Sequence, residues 1–153
     1  MRLDPEHLAR QLDGSIAPLY VVLGDELLLV MEAVDGIRAY VRGQGYTERT
    51  ILTADQRFDW VNLFQWGRQS SLFSERRMLD LRIPSGKPGR EGGVAIETFC
   101  RELPRDTVTV VTLPEIDKQG RASKWFKALE QAGQVIEVKP VGRDRLAHWI
   151  KQR

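Results

Sequence analysis

From Ala17 to Leu23 the chain reads Ala-Pro-Leu-Tyr-Val-Val-Leu and stops at Gly24. A run that short, continuously apolar and rich in strand formers predicts a buried strand. Beyond Asp25 the period lengthens: Leu27, Val30, Met31, Val34, Ile37 and Val41 recur at steps of three and four. They share one face of a helix that Gly43 and Gly45 bring to an end. Thr47 to Thr53 predicts a second strand. Phe58 to Gln69 predicts a helix, with Trp60, Val61, Leu63 and Phe64 inward and Asp59 in the first turn, where an acid suits the helix dipole. Arg77 to Ile83 alternates as a third strand, and residues 84–89 are too dense in Gly and Pro for either element, so a mobile loop is expected. Glu91 to Glu102 is expected to be helical. Thr107 to Leu113 is almost wholly β-branched and predicts a fourth strand. Residues 122–132 place Trp125, Phe126 and Leu129 on one helix face, and Gln134 to Val138 predicts a fifth strand. At the ends, Asp4-Pro5-Glu6 opens a short helix through Leu8 and Leu12, and Asp144 to Gln152 begins another.

Five strands alternating with helices, several of them apolar on both faces, require a parallel sheet covered on each side. The expected fold is α/β, a three-layer sandwich with a five-stranded parallel sheet. The closing segment Arg145 to Arg153 runs on without a C-cap, so a domain of a longer chain is expected.

Composition narrows the function classes. The 153 residues, 42% hydrophobic and 29% charged, suit one domain with its own core. No apolar stretch approaches the roughly 20 residues that span a bilayer, and the N-terminus lacks the apolar segment of a secretory signal, so a cytoplasmic protein with no membrane partner is expected. The one cysteine, Cys100, has no internal partner for a disulfide. Net charge conceals an asymmetry: residues 1–75 carry 7 basic and 11 acidic side chains, residues 76–153 carry 16 and 10, giving −4 and +6. Solvated helix faces account for that, and a polyanion facing the second half is the alternative.

A sheet of this type invites a nucleotide at the turn after its first strand. A phosphate cradle needs Gly-x-x-x-x-Gly-Lys-Ser/Thr, whose backbone N–H groups, lysine and hydroxyl meet phosphates and magnesium. The turn here is Gly24-Asp25-Glu26-Leu27-Leu28-Leu29-Val30. It has no lysine and no hydroxyl, and Asp25 and Glu26 stand where phosphate would lie; like charges at 4 Å repel by roughly 4 kcal/mol at an effective dielectric near 20. Gly24, Asp25 and Glu26 therefore read as a degenerate, non-binding phosphate loop. Glu115 and Asp117 follow the fourth strand, where a magnesium-holding acid could stand, but with no phosphate loop opposite them they read as helix-capping or solvated residues. His7 and His148 lack a second ligand at metal spacing, no Gly-x-Ser-x-Gly elbow exists, and Cys100 beside Phe99 reads as a buried thiol. No catalytic residue, metal or cofactor is expected in this domain.

One motif remains. Gln69-Ser70-Ser71-Leu72-Phe73-Ser74 sets two large apolar residues among serines of poor helix propensity. Leu72 and Phe73 could fold into their own core. Gln69-x-x-Leu72-Phe73 also has the form of the short peptide by which bacterial proteins dock on the sliding clamp of DNA replication.

The chain as a whole resembles the δ subunit of the bacterial DNA polymerase III clamp loader. The resemblance runs through Leu19-Tyr20-Val21-Val22-Leu23-Gly24-Asp25-Glu26-Leu27-Leu28-Leu29, Phe58-Asp59-Trp60, Ser71-Leu72-Phe73, Arg77-Met78-Leu79 and Lys124-Trp125-Phe126-Lys127-Ala128-Leu129. It implies a RecA-like, AAA+-type P-loop NTPase fold with a degenerate phosphate loop over residues 1–140, and at 141–153 the start of a helical second domain. It also implies a wrench. Leu72 and Phe73 would enter a pocket on the β sliding clamp, Gln69 would make a polar contact, and Ser70 and Ser71 would act as spacer. The clamp ring would open for loading onto primed DNA, while other loader subunits, γ/τ and δ′, bind and hydrolyse ATP. One departure stands out: the position of Ser70 is often large and apolar in such peptides, so this copy is expected to lean on neighbours such as Glu75 and Arg76. The rival readings are a nucleotide-binding α/β enzyme, favoured by fold class alone, and a stand-alone DNA-binding domain, favoured by the +6 half.

Overall fold

The structure, a computed structural model, describes residues 16–69 and 76–138. The runs that are apolar on every residue become the middle of a sheet. Strand β1 (Leu19–Leu23) is buried along its whole length, and so is nearly all of β4 (Thr107–Leu113). They pair in parallel, with Leu19 opposite Thr109 and Leu23 opposite Leu113. Strands β2 (Tyr46–Thr53), β3 (Arg76–Arg82) and β5 (Gln134–Glu137) complete a five-stranded sheet in the order β2-β3-β4-β1-β5, every pairing parallel. The half-exposed pattern of β2 belongs to an edge strand, the reason its sequence alternates less cleanly than the others.

Parallel strands need crossovers, and the helices supply them on both faces. Helix α1 (Leu27–Gly43) covers one face: Val30, Val34, Ile37 and Val41 pack on Tyr20, Val22, Met78, Val108, Val110 and Ile136. Helices α2 (Val61–Arg68), α3 (Gly89–Arg101) and α5 (Lys124–Ala132) cover the other, over Leu19, Val21, Leu79, Leu81, Val111 and Val135. A single-turn helix, α4 (Lys118–Arg121), precedes α5. This is the expected three-layer α/β sandwich.

Several local expectations need correction. Helix α2 starts at Val61 rather than Phe58; ahead of it Asp59 Oδ1 accepts from Val61 N–H at 3.0 Å and holds the chain in a turn. Its inward face is Leu63 and Trp66, with Trp60 just ahead; Val61 is half exposed. Leu27 also faces solvent, since it lies in the first turn of α1 beyond the sheet. The helix expected over 122–132 is α5, which starts two residues later, at Lys124, because Ser123 Oγ accepts from Phe126 N–H as its N-cap; the single turn α4 ahead of it was not expected. The Gly- and Pro-rich stretch after β3 is a loop as far as Pro88, with α3 beginning at Gly89; within it Gly86, at φ +69°, is buried against Pro114 and Ile116, where any side chain would collide. The helices expected at Asp4–Leu12 and Asp144–Gln152, and the boundary between 140 and 141, lie outside the described residues. Among the described residues no helix is long and apolar enough to cross a membrane.

Candidate functional site

All five strands point the same way, so the sheet has two unlike ends. At the C-terminal end, Gly24 follows β1. Its N–H donates to Leu113 O at 3.2 Å, and a Cβ there would sit 2.5 Å from the carbonyl oxygen of Val138. Gly24 is thus small because β1 and the chain leaving β5 run close together, a packing reason unrelated to phosphate. Asp25 Oδ1 accepts from Glu115 N–H at 2.9 Å, which ties the turn after β1 to the turn after β4. Glu26 precedes α1 with no side-chain cap, and the first turn behind it presents Leu27 and Leu28, both well exposed. A cavity of about 290 Å³ lies here, walled by Gly24, Leu27, Met31, Arg82, Thr112 and Pro114. Its cation is engaged: Arg82 Nη2 bonds Asp80 Oδ2 at 3.2 Å, and Arg49 Nη2 reaches the same oxygen at 2.8 Å. The hollow is mostly apolar, and the one carboxylate in its wall, Asp25, is the group that accepts from Glu115 N–H.

The other acids of this end are also committed to the fold. Asp117 Oδ1 accepts from Gly120 N–H at 2.7 Å and caps α4. Glu115 and the buried Glu137 converge on Arg121 Nη2 at 2.7 and 2.6 Å, stapling the β4 turn, α4 and β5. The capping and solvated-turn reading of Glu115 and Asp117 thus describes their place. No group of three potential metal ligands occurs among the described residues. Cys100 packs partly against the core, and burial, reinforced by the nearby Glu97 carboxylate, pushes its thiol up to about 12, which makes it a poor nucleophile at neutral pH.

At the opposite end stands the start of the Gln-x-x-Leu-Phe motif. Helix α2 ends at Arg68, and Gln69 turns into extended conformation, its N–H shared between Gln65 O at 3.1 Å and Trp66 O at 3.2 Å. Gln69 is exposed. Ser70, Ser71, Leu72 and Phe73 lie outside the described residues; the chain is described again from Arg76, where β3 begins. Arg76 Nη1 donates to Gln44 O at 2.9 Å and its guanidinium lies 5.5 Å from the centre of the Tyr46 ring. Arg77 is buried, its guanidinium 4.1 Å from the centre of the Trp66 ring, and Nη1 donates to Trp66 O at 3.2 Å. Sequence reasoning missed both Trp66 and Arg77. The available signal was the alternation Arg77, Leu79, Leu81, which sets a cation on an inward strand face.

Comparison with known proteins agrees with this fold. The family model described as DNA polymerase III, delta subunit, matches residues 20–139. The DNA polymerase III subunit delta of Escherichia coli (strain K12) is 28% identical over 153 residues, covering 100% of this chain and 45% of its own length. That of Haemophilus influenzae is 24% identical, covering 99% and 45%. The chain thus spans less than half the length of these relatives. Among solved structures, a Bacillus subtilis DNA clamp loader delta protein superposes with TM-score 0.68 at 17% identity, over 91% of this chain and 44% of that one. The Aeropyrum pernix ORC1 protein, solved in complex with DNA, gives TM-score 0.54 at 13% identity, covering 96% and 47%. These likenesses are of fold: the same α/β architecture recurs in both structures.

Proposed function

The chain belongs to the DNA polymerase III delta-subunit family, and from that premise we propose that it is the clamp-binding module of a clamp loader. The observation that carries the proposal is the Gln69-x-x-Leu72-Phe73 sequence, starting at an exposed residue where α2 ends and closing just before β3. Leu72 and Phe73 enter an apolar pocket on the β sliding clamp, Gln69 anchors beside it, and Ser70 and Ser71 space the two. The bound clamp opens at one interface and is placed on primed DNA. Residues 1–140 form this module, 141–153 begin a helical second domain, and the γ/τ and δ′ subunits are its partners in the loader. Those subunits handle ATP, since Gly24, Asp25 and Glu26 offer phosphate two carboxylates and no lysine.

Magnitudes set how much the anchors can do. Burying one Leu and one Phe contributes roughly 3–6 kcal/mol, and a micromolar complex needs about 8 kcal/mol after association costs. The pair is therefore a hot spot, with Gln69 and flanking residues supplying the rest. Changing Leu72 and Phe73 together to Ala is expected to weaken clamp binding by about 100-fold or more while the melting temperature stays within a few degrees. Surface plasmon resonance against the cognate clamp reads the first, calorimetry the second. Unchanged affinity would overturn the proposal; a collapse in stability would return Leu72 and Phe73 to the core of their own domain.

A further inference from the structure

We propose that the hollow between α1 and the C-terminal ends of β3, β4 and β1 binds a free aliphatic α-amino acid. The site stands apart from clamp docking, whose motif begins at the other end of the sheet.

Three polar groups follow one another along its wall. Met78, Val108 and Val110 pack on α1, and the period of two along a strand puts Arg82 and Thr112 on that same face, where the β3–β4 register makes them neighbours. Asp25 follows the end of β1, the strand on the other side of β4. All three line the cavity. Strands lie about 4.8 Å apart, so Arg82 and Asp25 start from backbones about 10 Å apart, close enough for their side chains to meet the two ends of one small molecule.

Each group keeps capacity that the fold does not use. Thr112 Oγ1 is buried and has no hydrogen-bond partner, which costs stability unless another group meets the hydroxyl. Arg82 spends Nε and one Nη2–H on Asp80, and the end-on fork of its guanidinium remains. Asp80 is fully buried and shared with Arg49, so the two arginines and one carboxylate retain a positive charge. Asp25 accepts from Glu115 N–H through Oδ1 alone, leaving Oδ2.

A guanidinium fork beside a hydroxyl suits a carboxylate, and Asp25 across β4 suits an ammonium. Leu27, Val30, Met31 and Pro114 complete the wall and suit an aliphatic side chain. Size agrees: about 290 Å³ lies at the lower end of small-molecule cavities. Charge agrees as well, because Asp25 repels a phosphate and attracts the ammonium of a zwitterion.

The test is titration calorimetry of the full chain with L-leucine. Saturable binding at millimolar concentration is expected, with 4-methylpentanoate, which lacks the ammonium, and isoamylamine, which lacks the carboxylate, each about tenfold weaker or worse. Thr112→Val keeps the shape and removes the hydroxyl. It should weaken leucine binding about tenfold while the melting temperature holds or rises, two readouts that a hydroxyl met within the protein would not set against each other. Asp25→Asn keeps the acceptor for Glu115 N–H and should lose leucine affinity about tenfold without losing affinity for 4-methylpentanoate. Arg82→Met should abolish binding; if it does not fold once Asp80 loses a partner, Thr112→Val and Asp25→Asn decide. No saturable binding of leucine, valine, isoleucine or methionine overturns the proposal. So does leucine affinity within twofold of wild type in either variant, 4-methylpentanoate binding as tightly as leucine, or a fall of several degrees in the melting temperature of Thr112→Val.

Discussion

The two ends of the sheet differ in what their polar groups are doing. At the C-terminal end, where open α/β sheets take ligands, the polar groups bind one another. Asp25 holds Glu115 N–H, Asp117 holds Gly120 N–H, Arg121 joins Glu115 to Glu137, and Asp80 sits between Arg49 and Arg82. At the N-terminal end, Gln69 is exposed, Arg76 donates to Gln44 O and Arg77 donates to Trp66 O. A seven-residue strand such as β3 separates these ends by about 20 Å. On the function proposed above, an α/β sheet of this kind holds its C-terminal end together with its own polar groups, while recognition of the clamp falls to a short peptide sequence that begins at the other end.

That contrast predicts opposite mutational signatures. Gly24→Ala should have the largest effect on stability, because its Cβ would meet the Val138 carbonyl oxygen at 2.5 Å, backbone that cannot swing aside. A loss of about 3 kcal/mol is expected, roughly 6–12 °C in melting temperature, with clamp affinity of the folded protein within twofold of wild type. Titration of wild type with ATP and magnesium should give no binding heat at millimolar nucleotide. Measurable nucleotide binding, or an affinity that falls with Gly24→Ala, would show that the two ends are coupled and break the comparison.

Arg121→Met should come next. Glu137 is 8% exposed, and without Arg121 its carboxylate loses the cation that bonds it at 2.6 Å. Removing one partner of a buried pair leaves the other charge under-compensated, so about 2–3 kcal/mol of destabilisation is expected, and changing Glu137 to Met as well should recover part of it. Denaturant unfolding of the two single variants and the double variant measures this coupling. Clamp binding should again be unaffected.

Much of this arrangement is legible from the residue pattern, and the losses have physical causes. Strand β4 appears with the bounds expected for Thr107–Leu113, because a strand buried on both faces must be apolar or β-branched throughout. The single turn α4 was hidden, since Lys118 to Arg121 is too short to show a period, and the start of α5 moves to Lys124 once Ser123 is recognised as a cap rather than an interior residue. Trp66 was hidden because Trp60, Val61 and Phe64 offered an equally apolar face, and only packing on α3 and the sheet decides between them. The Arg77–Trp66 contact joins residues eleven apart in sequence and is set by the paths of α2 and β3, which no local pattern encodes.

The smallest effect sharpens the comparison most, because it separates two readings of one carboxylate. Asp117 follows β4 at the end of the sheet where a magnesium-holding acid could stand, yet its Oδ1 accepts from Gly120 N–H at 2.7 Å. A cap of this kind is worth about 1 kcal/mol, so Asp117→Ala should lower stability by that amount, with Asp117→Ser recovering much of it because a hydroxyl also accepts from an N–H. A metal-holding carboxylate behaves otherwise: magnesium would raise the wild-type melting temperature by mass action, and serine would not replace the lost charge. Thermal unfolding of wild type, Asp117→Ala and Asp117→Ser, each with and without millimolar magnesium, distinguishes the two. A magnesium-independent loss rescued by serine keeps Asp117 structural; a magnesium-dependent shift abolished in both variants would return it to ligand chemistry.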